Sequence, residues 1–423
     1  MPKFTLIRWI KFYVILLSIY SFGTFGITNL VGIREFAQTI IIVCGLFVFL
    51  FIYHPKLNSL NLIEGVIFFS ILQVSVIFFV SDANVSESLV MALIFYLVMT
   101  ENIIFIIKLS KAIVAVTVII CLLVLISYIY YLAYPENFTN ANFDIYDSST
   151  GPKAIHASFI LDWISFTSGD GFEFLGFTSP RMKGYSNEPS ATIVHYLSPV
   201  ALSFLIGGGY KKLGIFILTV NIICIGSFVA HIIIGLSFII YCLSRLFKKY
   251  VKKILLLGVI SLILALYNYS ILYSIFEFFG DFLVRNLGFD LVSRKLDSNL
   301  GERQFSISSG LENIAESPFG FASTTLGSGS GLLYVVGALT GWVGLIIFCK
   351  YMYKIFVNGS FALKNATTTV CYGAAFSLAT LMVLTLISGY GWNRIPGLII
   401  LSILYKYLQF FDIKNTIASD SIR

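Results

Sequence analysis

Four side chains with useful chemistry fall within fifteen residues: Arg181, Lys183, Glu188 and His195. Two cations, a carboxylate and an imidazole at this spacing could grip an anion and move a proton. The stretch Pro180-Arg181-Met182-Lys183-Gly184-Tyr185-Ser186-Asn187-Glu188-Pro189-Ser190 leads straight into an apolar run. Ser190 after Pro189 suits a helix start. Arg181 and Lys183 would then stand near the positive end of a helix dipole, where an anion meets guanidinium, ammonium and free backbone N–H groups together. Glu188 is the first candidate for a general base, and His195, one turn into the run, is the second. The plainer reading is a turn, a capping motif with solvated charges, and a hydrogen-bonded helix histidine.

A second set of cations is Arg285, Arg294 and Arg303, spaced nine residues apart. Nine residues are about two and a half helical turns, so successive arginines would not share a helix face. Their plain alternative is pairing with Asp281, Asp290, Asp297 and Glu302. What distinguishes them is their place in the chain.

The chain has 423 residues, 58% hydrophobic and only 12% charged, with a mean hydropathy of +0.90. A soluble domain carries about 25% charged residues. The shortage excludes a soluble enzyme, a disordered chain and a nucleic-acid binder. A helix needs about 20 apolar residues to cross about 30 Å of hydrocarbon. On that measure the sequence predicts an all-α polytopic membrane protein of about twelve spans: 12–33, 36–53, 60–80, 88–107, 111–134, 191–208, 212–227, 229–247, 253–276, 331–349, 366–388 and 396–412. Gly226 and Ser227 are the expected turn between the seventh and eighth. Lys and Arg collect in cytoplasmic loops. With both termini inside, most of the 28 cations fall on inner segments. Arg34, Lys153, Arg181, Lys183, Arg285, Arg294, Lys295, Arg303 and Arg394 are left outside. The organisation is then spans one to five in 1–134, an outer loop in 135–190, spans six to nine in 191–276, a second outer loop in 277–330, and spans ten to twelve in 331–423. The first span is too long for a cleavable signal. Loops of this length are usually functional, and these two carry most of the acidic charge, so the outer face is the expected active face.

Other polar residues lie within or beside the spans. Glu64 and Glu101 are costly there and so are functional candidates. Glu64 can snorkel to an inner end, and Glu101 has Lys108 as the expected neighbour. His231 reads as packing or as a hydrogen bond between helices. Glu316-Ser317-Pro318-Phe319-Gly320-Phe321 and the glycines from Gly327 to Gly331 read as turns. Phosphate-loop, dinucleotide-loop and zinc signatures are absent, as is any Cys/His cluster. All six cysteines lie within or beside spans. Nothing in the sequence calls for a metal or an organic cofactor.

Two motifs carry a family resemblance. One is Arg181-x-x-Gly184-Tyr185-x-Asn187-Glu188-Pro189-Ser190; the other is Gly301-Glu302-Arg303 followed by Ser317-Pro318-Phe319-Gly320-Phe321-Ala322. With the two long outer loops, they resemble the bacterial O-antigen polymerase and ligase superfamily, the Wzy-type membrane glycosyltransferases and their ligase cousins. Glu302 departs from the family's small residue, and Ala322 stands near its second glycine. The ligase branch carries a histidine eleven residues before a Gly-x-x-Gly. Here Gly341-Trp342-Val343-Gly344 is kept, but Ser330 stands in the histidine's place, which favours the polymerase branch over an O-antigen ligase. The resemblance implies a GT-C-like, metal-independent glycosyltransferase in the bacterial cytoplasmic membrane. Its substrates would be undecaprenyl diphosphate-linked oligosaccharides, with a chain-length regulator as a further partner. Arg181 and Arg303, then Arg294, Arg285 and Lys183, would hold diphosphate. A lipid-linked oligosaccharide flippase or another transporter is the competing class. It would use Glu64, Glu101 and His231 as a relay and would show related halves, and no internal repeat is visible.

Overall fold

The computed structural model describes residues 6–21, 40, 43, 97–98, 101–134, 139–141, 156–159, 164–174, 177–184, 196–225, 228–267, 315–316, 318, 332–365, 367–386, 403–404 and 406–408. Its helices are α1 (Leu6–Ser21), α2 (Ile103–Ala133), α3 (Ser198–Ile206), α4 (Tyr210–Val220), α5 (Phe228–Leu246), α6 (Val251–Tyr267), α7 (Leu332–Asn365) and α8 (Thr368–Leu386). A π-helical turn, Asn221–Ile225, prolongs α4. Between α2 and α3 lie four strands: β1 (Thr139–Ala141), β2 (His156–Phe159), β3 (Ile164–Phe174) and β4 (Phe177–Gly184).

The helical body agrees with the all-α expectation. Large aliphatic side chains face outward: on α2 Ile119 and Ile129 are each 57% exposed. Hydroxyls face inward and bond within their own helices. Ser110 donates to the Ile106 carbonyl, Thr117 to Ile113, Ser377 to Gly373 and Thr380 to Phe376, all at 2.7–2.8 Å. Such bonds let small polar residues sit between helices without stranded donors. One helix among the described residues is long and apolar enough to cross a membrane, Ile103–Tyr130 within α2. A second candidate is the pair Ala230–Leu246 and Lys248–Ile260, bent by 110°.

Several boundaries differ from the sequence reading. The expected break at Lys108–Lys111 does not occur, and one 31-residue helix, α2, runs through it. The chain turns earlier, at Glu101. Asn102 is extended and its side chain caps Phe105 N–H at 3.0 Å. The two lysines, taken as loop markers, are exposed residues of the helix's first turns. The expected span 191–208 ends at Gly207, where Gly207 and Gly208 take φ of +73° and +59°. The helix α3, buried from Ser198 to Leu205, reverses there into α4. The expected span 331–349 is instead the start of a 34-residue helix, kinked at Gly341 with φ +64°. The helix α8 matches span 366–388 closely. The Gly226–Ser227 turn lies outside the described residues, between the π turn and α5.

Close packing around α3 fixes the centre. A Cβ on Gly373 of α8 would come within 2.7 Å of Leu205 N and 2.9 Å of the Phe204 carbonyl carbon. Gly214 of α4 lies equally hard against Ser203. Gly359 of α7 instead faces the tip of Leu378, at 2.7 Å from the missing Cβ.

At one end of the body, Lys11 Nζ meets Glu101 Oε1 at 2.6 Å, with the side chains 2% and 8% exposed. Glu101's expected neighbour was Lys108; its ion-pair partner is Lys11. Lys406 Nζ donates to the Glu101 backbone carbonyl at 3.2 Å. One residue thus holds α1, the start of α2 and the C-terminal helical residues 406–408 together.

Two outcomes follow. Lys11→Met, which strands a buried carboxylate, is expected to cost about 3–5 kcal/mol, and Lys11→Met with Glu101→Leu to restore most of it; melting of the purified protein in detergent measures both. Gly373→Ala must move backbone and is expected to destabilise by about 1–3 kcal/mol, whereas Gly359→Ala need only turn a leucine tip and costs less.

Candidate functional site

Charge divides along the long axis of α2, which at 31 residues is about 46 Å long. Before its first turn lie Lys11, Glu101 and Lys406. Lys111, in its third turn, places Nζ 5.4 Å from the Tyr210 ring, at the start of α4 where Lys211 and Lys212 follow. The end of α5 comes to the same level, since Ser244 Oγ lies 3.8 Å from Cys371 Sγ near the start of α8. Arg245, Lys248 and Lys249 are there, and Arg245 stacks 5.5 Å from the Tyr241 ring. This end of the body is densely cationic.

The sheet belongs to the other end. It follows the last turn of α2; β3 and β4 pack against α2, and β4 packs also against the π turn that ends α4. It is an antiparallel meander in the order β1-β2-β3-β4. Its sequence explains its irregularity. Thr167 pairs with Arg181 and Phe172 with Ser179, so four residues of β3 stand opposite Pro180 alone. Proline cannot donate to a ladder and is tolerated at a bulge. The bulged residues are Ser168-Gly169-Asp170-Gly171, whose glycines suit the bend. This segment, expected as loop, is therefore ordered by strand pairing on both sides of Arg181.

Of the predicted site residues, Arg181 and Lys183 lie on β4, two positions apart. Glu188, His195, Arg285, Arg294 and Arg303 lie outside the described residues, as do Glu64 and the expected helix start at Ser190. His231 falls in the first turn of α5.

The structure also joins two motifs distant in sequence. Trp342 N–H donates to the Pro318 carbonyl at 2.9 Å. The kink at Gly341 takes Trp342 N–H out of the helical ladder, and the Pro318 carbonyl supplies its acceptor. The sequence reading had both motifs but no reason to join them.

Sequence reasoning missed Asn221. It is wholly buried in the π turn, and neither its side-chain nitrogen nor its oxygen has a partner. A carboxamide inside an otherwise apolar run was its signal. Among the described residues, no three His, Cys, Asp or Glu side chains gather as metal ligands. Compared with protein-family models, curated proteins and solved structures, the chain matches none.

The separation of charge predicts which residues face each compartment. In a variant freed of its six cysteines, a cysteine placed at Thr178 on β4 is expected to react with a membrane-impermeant maleimide on intact spheroplasts. One placed at Lys249 is expected to react only after lysis. The reverse pattern would invert the orientation.

Proposed function

We propose that this chain is a polyprenyl diphosphate-dependent glycan polymerase of the bacterial cytoplasmic membrane, of O-antigen or capsule type, with its active face outward. The supporting observation is the segregation of charge. Lysines and arginines crowd one end of the helical body, which by the positive-inside bias is cytosolic. Arg181 and Lys183 stand on a strand at the opposite end, against that bias. The motif resemblance around Arg181 and Arg303 points to the same chemistry, and the twelve-span topology belongs to this reading.

The donor is a glycan on undecaprenyl diphosphate, and the acceptor is a sugar hydroxyl of a second lipid-linked repeat unit. The acceptor oxygen forms a bond to the donor's anomeric carbon while the bond from that carbon to the phosphate oxygen breaks. The acceptor proton passes to Glu188, with His195 the second candidate. Undecaprenyl diphosphate leaves with its negative charge. Arg181 and Arg303 grip that charge bidentately, supported by Arg294, Arg285 and Lys183. Each charge-assisted contact contributes about 1.5–3 kcal/mol, so several together match what a metal would supply.

Arg181→Ala and Arg303→Ala are each expected to abolish long-chain surface polysaccharide at normal protein levels, while single repeat units still reach the outer face. Gel profiles of the polysaccharide, with protein abundance measured alongside, decide it. Unchanged long chains in both variants would refute the reading. Units retained on the cytosolic side would indicate a flippase, and loss of single units from the final acceptor would indicate a ligase.

A further inference from the structure

The packing contacts set levels within the helical body. Ser203 of α3 lies against Gly214 of α4, and the chain reverses between them at Gly207–Gly209. Seven residues from that contact along each helix, away from the cationic end, are Tyr196 and Asn221, both about 10 Å on. On α5, His231 precedes Ser244 by thirteen residues, so it stands about 20 Å from the Ser244–Cys371 contact and within about a turn of the same level. Three residues able to hydrogen-bond thus share one layer, and Tyr196 and Asn221 are fully buried.

Asn221 has no structural task that accounts for it. Its carboxamide nitrogen and oxygen are enclosed and unpaired, although buried amides almost always find partners. It also opens a π turn, a rare departure from the helix that is frequent at functional sites. Ser127 Oγ on α2 is likewise enclosed and unpaired. It is six residues past Cys121, which neighbours Cys224 of the π turn, and so about 9 Å nearer the sheet. Above this polar layer runs β4, with Arg181 on it.

The chemistry of these groups selects a ligand. A carboxamide offers two N–H donors and an acceptor oxygen without net charge, and a hydroxyl both donates and accepts. A phosphate supplies acceptors and would leave the amide oxygen unmet. A metal or ammonium ion would leave the amide N–H groups unmet, and an acyl chain would meet neither. Sugar hydroxyls donate and accept at adjacent atoms. We propose that Asn221, with Ser127, Tyr196 and His231, forms a saccharide subsite beneath β4 that holds the sugar of the lipid-linked substrate beside its diphosphate. This rests on the glycan-polymerase reading for the identity of that substrate.

The test uses the full chain in lipid nanodiscs and two probes: the free oligosaccharide released by mild acid from lipid-linked repeat units of the same strain, and undecaprenyl diphosphate. The oligosaccharide is expected to raise the melting temperature of the wild type saturably. Asn221→Leu, which removes an unpaired amide, is expected to melt no lower without ligand, yet to need at least about tenfold more oligosaccharide. Its response to undecaprenyl diphosphate should match the wild type. The inference is overturned if the wild type gives no oligosaccharide response, or if Asn221→Leu responds as the wild type does. Should Asn221→Leu fail to fold, Tyr196→Phe, which keeps the ring and removes only the hydroxyl, decides by the same criterion. Arg181→Ala separates the two proposals. It should weaken the diphosphate response and leave that of the oligosaccharide intact. An unchanged diphosphate response there would sink the assignment of β4 and leave the saccharide readout standing.

Discussion

Buried polar groups in the described helices need partners, and the outward faces of those helices are apolar. Ile104, Ile119, Ile126 and Ile129 line the exposed side of α2, and Phe238, Leu257 and Ile346 do the same on other helices. A buried donor left unsatisfied costs about 1–3 kcal/mol. The sequence meets the requirement at short range. Serine and threonine return their protons to a carbonyl three or four residues earlier, as at Ser203, Ser360 and Thr380. Glycine does the remainder, since Gly214 and Gly373 let backbones approach where any side chain would hold them apart. Close dispersion contacts and short hydroxyl bonds both contribute to holding the described helices together.

That constraint gives the Lys11–Glu101 pair its importance. Two charges removed from water are costly, and their attraction offsets the cost only in good geometry. The 2.6 Å contact supplies that geometry, and Lys406 bonds the backbone of the same glutamate. The first helix and residues 406–408 meet where α2 begins, at the cationic end, whereas the sheet that carries Arg181 lies at the far end of α2.

The helical class of most described residues was legible in composition, since so few charges over so many residues leave long apolar runs. The end of the bundle rich in cations was legible too, since Lys111, Lys211, Arg245 and Lys248 each flank apolar runs. Helix boundaries were less so. Lys108 and Lys111 marked a loop by the usual bias, yet a lysine near a helix start can lie on its exposed side and leave the helix unbroken. The true break depended on one capping asparagine, Asn102, whose signal is local and short. The sheet was hidden because its period-two pattern, Ile164-Ser165-Phe166-Thr167 and Phe172-Glu173-Phe174, is interrupted by the glycines of its bulge. Arg181 was found by its neighbours in sequence. Asn221 was not, because its meaning lies in what fails to pair with it, which only packing reveals.

The Pro318–Trp342 contact ties two separated parts of the chain together at the backbone. Gly341 adopts a conformation that L side chains resist, and the resulting kink exposes one N–H. Among the described residues, that N–H bonds the Pro318 carbonyl, which lies fifteen residues after Arg303 in the sequence. Proline suits this role, since it presents a carbonyl while its own ring restricts the backbone on the amino side. The kinked helix is therefore fastened to Pro318 at the backbone, independently of side-chain identity at position 342.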